Sequence, residues 1–179
     1  MGITLKPINL QPIKNLHVIM AIIVAVAIIR WLPHPDNFAP IGALALFAGA
    51  YLDRRIFWLV PLAAMFIGDL ANGLYHLTVL AFVYLGFLAS TWLGRQIMYQ
   101  RVNPIRVSIG VCAGAISFWM ISNFGAYLAF RPLTIDALIA CYIDAVPYLL
   151  RSLTGDAVYA AVLFGGYTLL SRTLNLKAA

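Results

Sequence analysis

Long apolar runs separated by short polar segments dominate the pattern along the chain. A transmembrane helix needs roughly 20 mainly apolar residues, with a range of about 17–25. Five runs reach this range, and one falls short of it. The six runs are Leu16–Leu32, Ala39–Leu52, Ile56–His76, Leu77–Leu93, Ile105–Phe130 and Leu153–Ser171. The pattern predicts an all-α membrane protein, a bundle of six transmembrane helices in which the second helix is short.

Polar segments mark the predicted boundaries of these helices. The proline-rich segment 33–40 separates the first two runs, because the residue before a proline avoids the helical region and proline lacks a backbone donor. The amphipathic segment Arg131–Arg151 lies between the fifth and sixth runs and is expected to form an interfacial helix or a partly inserted hairpin. Residues 16–171 then form a single transmembrane domain, and residues 1–15 and 172–179 are short tails.

The positions of the basic residues predict an orientation. With the N-terminus in the cytoplasm, nine of the 12 lysines and arginines lie inside, and Arg30, Arg131 and Arg151 lie outside. This asymmetry agrees with the positive-inside rule. It requires the short second run to cross the membrane, since otherwise the basic cluster at 95–106 would face outward. Both termini are therefore expected in the cytoplasm.

Composition narrows the class of protein. The chain is 63% hydrophobic and 10% charged, whereas soluble domains are about 45–50% apolar and about 25% charged. The net charge of +6 comes from basic residues scattered between apolar runs, so it does not indicate nucleic-acid binding. Two cysteines make no disulfide framework. A lipid bilayer is the expected surrounding.

Two aspartates fall within predicted helices. An ionisable group inside a membrane helix is costly, so Asp69 is expected either to contact a ligand or to form a buried hydrogen bond or ion pair that fixes helix packing. Asp156 follows "SLTG" at the predicted start of the sixth helix. It is expected either to cap that helix and complement its dipole or to contact a ligand.

The predicted topology gathers polar and aromatic residues at the outer face. The residues at this face that could contact a small ligand are His34, Asn37, Asp69, Asn72, Tyr75, His76, Asn123, Tyr127 and Asp156. For the two histidines the alternative is an ordinary interfacial role. Phe124 and Tyr148 share that face and could add to an aromatic wall, although aromatic residues are common at any membrane interface.

Sequence motifs for catalysis and metal binding are lacking. The three histidines show no metal-ligand spacing, and no serine lies in a nucleophile motif. No enzyme activity, metal or cofactor is therefore predicted.

Small residues recur at helical spacing. Ala21 and Ala25 form one pair in the first run, and further sets are Gly42, Ala45 and Gly49 and Gly110 and Gly114. Such faces let membrane helices approach closely. They are expected either to pack inside the bundle or to dock another membrane subunit.

The stretches "PHPDNFAPIGALALFAGAYL", "PLAAMFIGDLANGLY", "SNFGAYL" and "GDAVYAAVLFGGY" resemble a family of small, largely uncharacterised bacterial membrane proteins. That family is in turn similar to the substrate-binding S-components of energy-coupling-factor (ECF) transporters. The similarity implies six helices, a ligand pocket at the outer face, a location in the bacterial inner membrane, and an Ala-x3-Ala face that docks a transmembrane coupling subunit. Ala21 and Ala25 match that spacing.

The function expected from these observations is capture of a small vitamin-like molecule, with a cobalamin-like one as an option. The ligand would lie between the outer ends of the third, fifth and sixth predicted helices, with segment 33–40 as a wall or lid. The alternative is a small accessory subunit of a larger membrane complex, whose small-residue faces would be the functional surface.

Overall fold

The computed structural model describes residues 16–32 and 37–173. In this part of the chain the backbone forms seven helices and no strand. The helices are α1 (Leu16–Trp31), α2 (Ile41–Tyr51), α3 (Leu59–Asn72), α4 (Leu77–Met98), α5 (Pro104–Phe130), α6 (Ile135–Asp144) and α7 (Val146–Thr173). The prediction of an all-helical chain is confirmed for these residues.

Among the described residues three helices, not six, are long and apolar enough to cross a membrane: α4, α5 and residues Val146–Ser171 of α7. The prediction of six spans is wrong because apolar runs extend beyond the helices within them. The run Ile56–His76 yields the 14-residue α3, which ends at Gly73 with a φ of 91°. At 1.5 Å per residue, the 11-residue α2 is only about 16 Å long, against a hydrocarbon core of about 30 Å.

The predicted amphipathic segment contains two structural elements. Its first half includes α6, whose N-cap Thr134 accepts a hydrogen bond from the Ala137 N–H at 3.3 Å. Its second half belongs to α7, which begins at Val146 rather than at the predicted Leu153. Pro147 is tolerated there because the first turn of a helix needs no donor from it.

Helix α2 lies in the centre of the bundle. All of its residues except Gly42 are buried, as expected for a helix that is apolar on every face. It packs against α4 and α7 and also touches α3 and α5. Tyr51 of α2 lies over Tyr167 of α7 with ring centroids 4.6 Å apart.

The two ends of α2 are met by side chains of opposite charge from other helices. At its N-terminus, Pro40 offers no side-chain cap, and the Ala43 N–H donates to the Asp156 carboxylate of α7. At its C-terminus, Arg95 of α4 donates to the Leu52 carbonyl oxygen at 3.3 Å. A negative group at the N-terminus and a positive group at the C-terminus both complement the helix dipole. These contacts satisfy backbone groups that water does not reach.

Glycines allow α2 and α4 to cross at close range. A Cβ atom at Gly94 would lie 2.7 Å from the Leu46 carbonyl oxygen, and one at Gly49 would lie 2.3 Å from the Thr91 carbonyl oxygen. In α5, Gly114 receives the Leu46 side chain and Gly110 receives the end of the Met98 side chain. These small residues therefore pack inside the bundle.

Substituting Gly94→Ala is expected to destabilise the protein by about 1–3 kcal/mol, because the new methyl group meets backbone atoms that cannot move independently. Gly165→Ala is the matched control, since nothing lies within 4 Å of a Cβ atom there and alanine favours a helix. Thermal unfolding in detergent measures both. Equal unfolding temperatures for the two variants would contradict the close crossing.

Candidate functional site

A cavity of about 440 Å³ lies beside the N-terminal end of α2. Every helix except α6 contributes to its wall, together with the segments before α2 and before α4. The apolar side chains in the wall are Ala39, Ile41, Met65, Val83, Phe87 and Phe118, and the polar ones are Arg30, Asn37, Tyr75, Ser90, Tyr148, Ser152 and Asp156. A mostly apolar cavity with a few convergent polar groups is typical of small-molecule sites.

Asp156 supplies an acidic group to this wall and is deeply buried, with 6% of its surface exposed. Its carboxylate lies against Gly42, where a Cβ atom would come within 2.2 Å of Oδ1. Because α7 begins at Val146, Asp156 lies about three turns inside that helix. The prediction that it caps its own helix is therefore wrong: it bonds to the first turn of α2 instead.

Asp69 lies outside the cavity wall and forms a buried ion pair. Its Oδ1 accepts from the Arg30 guanidinium at 2.7 Å, and its Oδ2 accepts from the Tyr84 hydroxyl at 3.0 Å. Only 1% of Asp69 is exposed, whereas Arg30 lines the cavity. Of the two roles expected for Asp69, the structure shows the ion pair, which positions Arg30 at the cavity.

Two residues predicted from loops do line the cavity. Asn37 precedes α2 and has a φ of 61°, a conformation that asparagine tolerates better than most residues. Tyr75 lies between α3 and α4. Burial, with the negative charge of Asp69 as a second cause, raises the pKa of the Tyr75 phenol to about 12. Tyr75 therefore stays a hydroxyl donor at neutral pH.

Other predicted site residues are engaged elsewhere. The Asn123 side chain donates to the Trp119 carbonyl oxygen of its own helix at 2.8 Å. The Tyr127 hydroxyl donates to the Thr134 carbonyl oxygen at 3.3 Å and so ties α5 to the start of α6. Neither side chain lines the cavity.

Of the remaining three predicted residues, only one has a described side chain, and it does not line the cavity. His76 packs its ring edge-to-face on Phe130, with centroids 5.2 Å apart. His34 lies outside the described residues, as does the side chain of Asn72. Within residues 16–32 and 37–173, no three His, Cys, Asp or Glu side chains cluster closely enough to hold a metal ion.

Ala21 and Ala25 lie on an exposed face of α1. The opposite face of this helix buries Ile19, Ile23 and Val26 in the core. The alanine pair therefore does not serve packing within the described bundle.

Sequence reasoning missed several residues of the wall. From the sequence Arg30 stands out as an outer charge, although an arginine within an apolar run is itself a signal of a buried partner. Ser152 precedes the predicted start of its helix at Leu153, so the sequence did not indicate that it lies inside α7 and lines the cavity. Phe87 and Phe118 carried no signal that separates a cavity wall from ordinary core packing.

A family described as a family of unknown function (DUF6580) matches residues 11–178. The chain belongs to the DUF6580 family. This match confirms the expected membership in an uncharacterised family, and it does not link DUF6580 to ECF S-components. No curated protein and no solved structure matches the chain.

Substituting Asp69→Asn is expected to destabilise the protein by about 3–5 kcal/mol, because the buried Arg30 charge loses its counterion. The double variant Arg30→Gln/Asp69→Asn should recover part of this loss, since no charge remains unbalanced. Unfolding by titration with sodium dodecyl sulfate in mixed micelles measures both.

Asp144→Asn is the control for this experiment. Its partner is Arg131 at 2.8 Å, and both side chains are exposed, so the loss should stay below about 1 kcal/mol. If Asp69→Asn is tolerated as well as Asp144→Asn, the ion pair does not hold α1 against α3.

Proposed function

We propose that this DUF6580 protein is a membrane-embedded binding protein that captures a small organic molecule in the cavity beside α2. The observation that carries the proposal is the pairing of an apolar, partly aromatic wall with the buried carboxylate of Asp156. Helices α4, α5 and α7, which are long and apolar enough to cross a membrane, surround this cavity. The proposal assigns binding rather than catalysis.

The size of the cavity favours a small ligand. Its volume of about 440 Å³ falls in the lower part of the range of roughly 300–1,000 Å³ for small-molecule sites. A single-ring vitamin or a metabolite of similar size suits this space better than a complete cobalamin with its corrin ring and nucleotide loop.

The proposed role is analogous to that of an ECF S-component in the bacterial inner membrane, and it includes uptake of the bound molecule. The short chain, the helical bundle and the cavity support this analogy. The polar wall residues Asn37, Tyr75 and Tyr148 come from chain segments at the ends of helices. In the proposed orientation, with cytoplasmic termini, this end of the bundle faces outward.

Native mass spectrometry of the full chain, extracted in mild detergent, tests the proposal. The wild-type protein should carry a small molecule, and Ala39→Phe should lose most of it because the phenyl ring fills the cavity. Ala161→Phe adds the same volume on an exposed part of α7 and should retain the ligand. Ligand-free wild-type protein, or equal occupancy in Ala39→Phe, would argue against a binding function.

A second candidate function is that of an accessory subunit of a larger membrane complex or a partner of a transmembrane coupling subunit. The exposure of Ala21 and Ala25 favours it, because small residues on an outward helix face permit a neighbouring helix to approach closely. The two candidates are compatible if the docked partner drives transport.

The double substitution Ala21→Leu/Ala25→Leu is expected to release such a partner, because two bulkier side chains keep the neighbouring helix at a distance. Native gel electrophoresis of detergent extracts from the natural membrane measures the size of the complex. Ala157→Leu/Ala161→Leu, on an exposed part of α7, is the control. A wild-type chain that migrates alone would rule out the accessory role.

A further inference from the structure

We infer that the cavity selects a small organic cation, whose protonated amine binds the Asp156 carboxylate while its apolar part contacts the aromatic wall. This inference rests on the proposed function, because it names the chemical class of ligand for the same cavity. It follows from three features: the unused acceptor capacity of Asp156, the internal charge balance of Arg30, and the type of side chain that forms the wall.

Asp156 retains capacity to accept hydrogen bonds. A carboxylate has about four lone-pair sites, and the partner found for Asp156 is the single N–H of Ala43. No basic side chain of residues 16–32 and 37–173 forms an ion pair with it. Asp156 is more than nine-tenths buried and lines the cavity. A charged donor that enters the cavity therefore meets an acceptor that the protein has only partly used.

The other charged residue of the wall is balanced within the protein. Arg30 is held by Asp69 at 2.7 Å, and the Tyr84 hydroxyl completes the contact with that carboxylate. The Arg30–Asp69 pair adds no net charge at the cavity. Beside Asp156, the positive end of the α2 helix dipole offsets only about half of the carboxylate charge. When Asp156 is ionised, the remaining charge of the described wall is negative and favours a cation.

The aromatic side chains of the wall are suited to the same ligand class. Tyr75, Phe87, Phe118 and Tyr148 all line the cavity, and Phe87 stacks on Phe118 with centroids 4.5 Å apart. The negative face of an aromatic ring attracts organic cations, and this attraction strengthens where water is excluded. A buried carboxylate combined with aromatic walls therefore favours an amine over a neutral or anionic molecule of the same shape.

Three single-ring probes of similar size test the inference: benzylamine, which is protonated at neutral pH, benzyl alcohol and benzoate. Calorimetry with the full chain in lipid nanodiscs, corrected with empty nanodiscs, measures each dissociation constant. Because the ammonium group forms an ion pair with the carboxylate whereas the alcohol is only a neutral donor, benzylamine is expected to bind about tenfold or more tightly than benzyl alcohol. Benzoate should bind least.

The variant Asp156→Asn should abolish the preference for benzylamine over benzyl alcohol. It is expected to fold, because the amide oxygen still accepts the Ala43 N–H, and its thermal unfolding is measured alongside. If Asp156→Asn does not fold, the preference of the wild-type protein among the three probes decides the question. Asp144→Asn removes an exposed carboxylate outside the cavity wall and should keep the preference.

Each other outcome overturns the inference. Equal binding of benzylamine and benzyl alcohol, or tighter binding of benzoate, would leave the cavity as a small-molecule site but refute its selectivity for cations. A preference for benzylamine that persists in a folded Asp156→Asn variant would refute the role of this carboxylate. If none of the probes binds to the folded wild-type protein, the cation inference fails, and native mass spectrometry decides separately whether the cavity holds another ligand.

Discussion

The structure depends on satisfying both ends of a short helix buried in an apolar bundle. Helix α2 has 11 residues, and the polar groups at its ends lie among other helices rather than in water. Unsatisfied backbone groups in such surroundings cost several kcal/mol each. Asp156 from α7 and Arg95 from α4 meet the two ends with charges that also complement the helix dipole. Three helices are thereby tied together, and the glycines of α2 and α4 allow them to approach closely enough for these contacts to form.

The same arrangement creates the candidate site. A helix N-terminus draws a carboxylate into the interior, and Gly42 leaves the space in which that carboxylate lies. Asp156 therefore combines a structural contact with α2 and an open side toward the cavity. Arg30 of α1 is positioned at the same cavity by its ion pair with Asp69 of α3. These two carboxylates link the stability of the bundle to the proposed ligand site, since one is paired within the protein and one is partly available.

The errors and successes of sequence reasoning follow from the range of each interaction. Asp69 and Asp156 could be singled out because ionisable groups are rare in apolar runs. Their partners could not be named, since Arg30 is 39 residues from Asp69 and Ala43 lies far along the chain from Asp156. Asn123 and Tyr127 were assigned to the site because they share the predicted outer end of a helix. Instead, the Asn123 side chain bonds within α5, and the Tyr127 hydroxyl bonds to the start of α6. The rotation of α5 about its own axis decides which way these side chains point.

By itself the sequence determined the helical class and the apolar character expected of a membrane protein. It also determined the small set of polar residues able to carry chemistry. Composition and local periodicity encode all of these properties. Tertiary structure decided which helices are long enough to cross a membrane, since α3 begins only at Leu59 and ends before Gly73, both inside the apolar run Ile56–His76. It also decided that Asp69 serves an ion pair while Asp156 lines a cavity. Those roles arise from distances between helices remote in sequence, and only the packed bundle sets such distances.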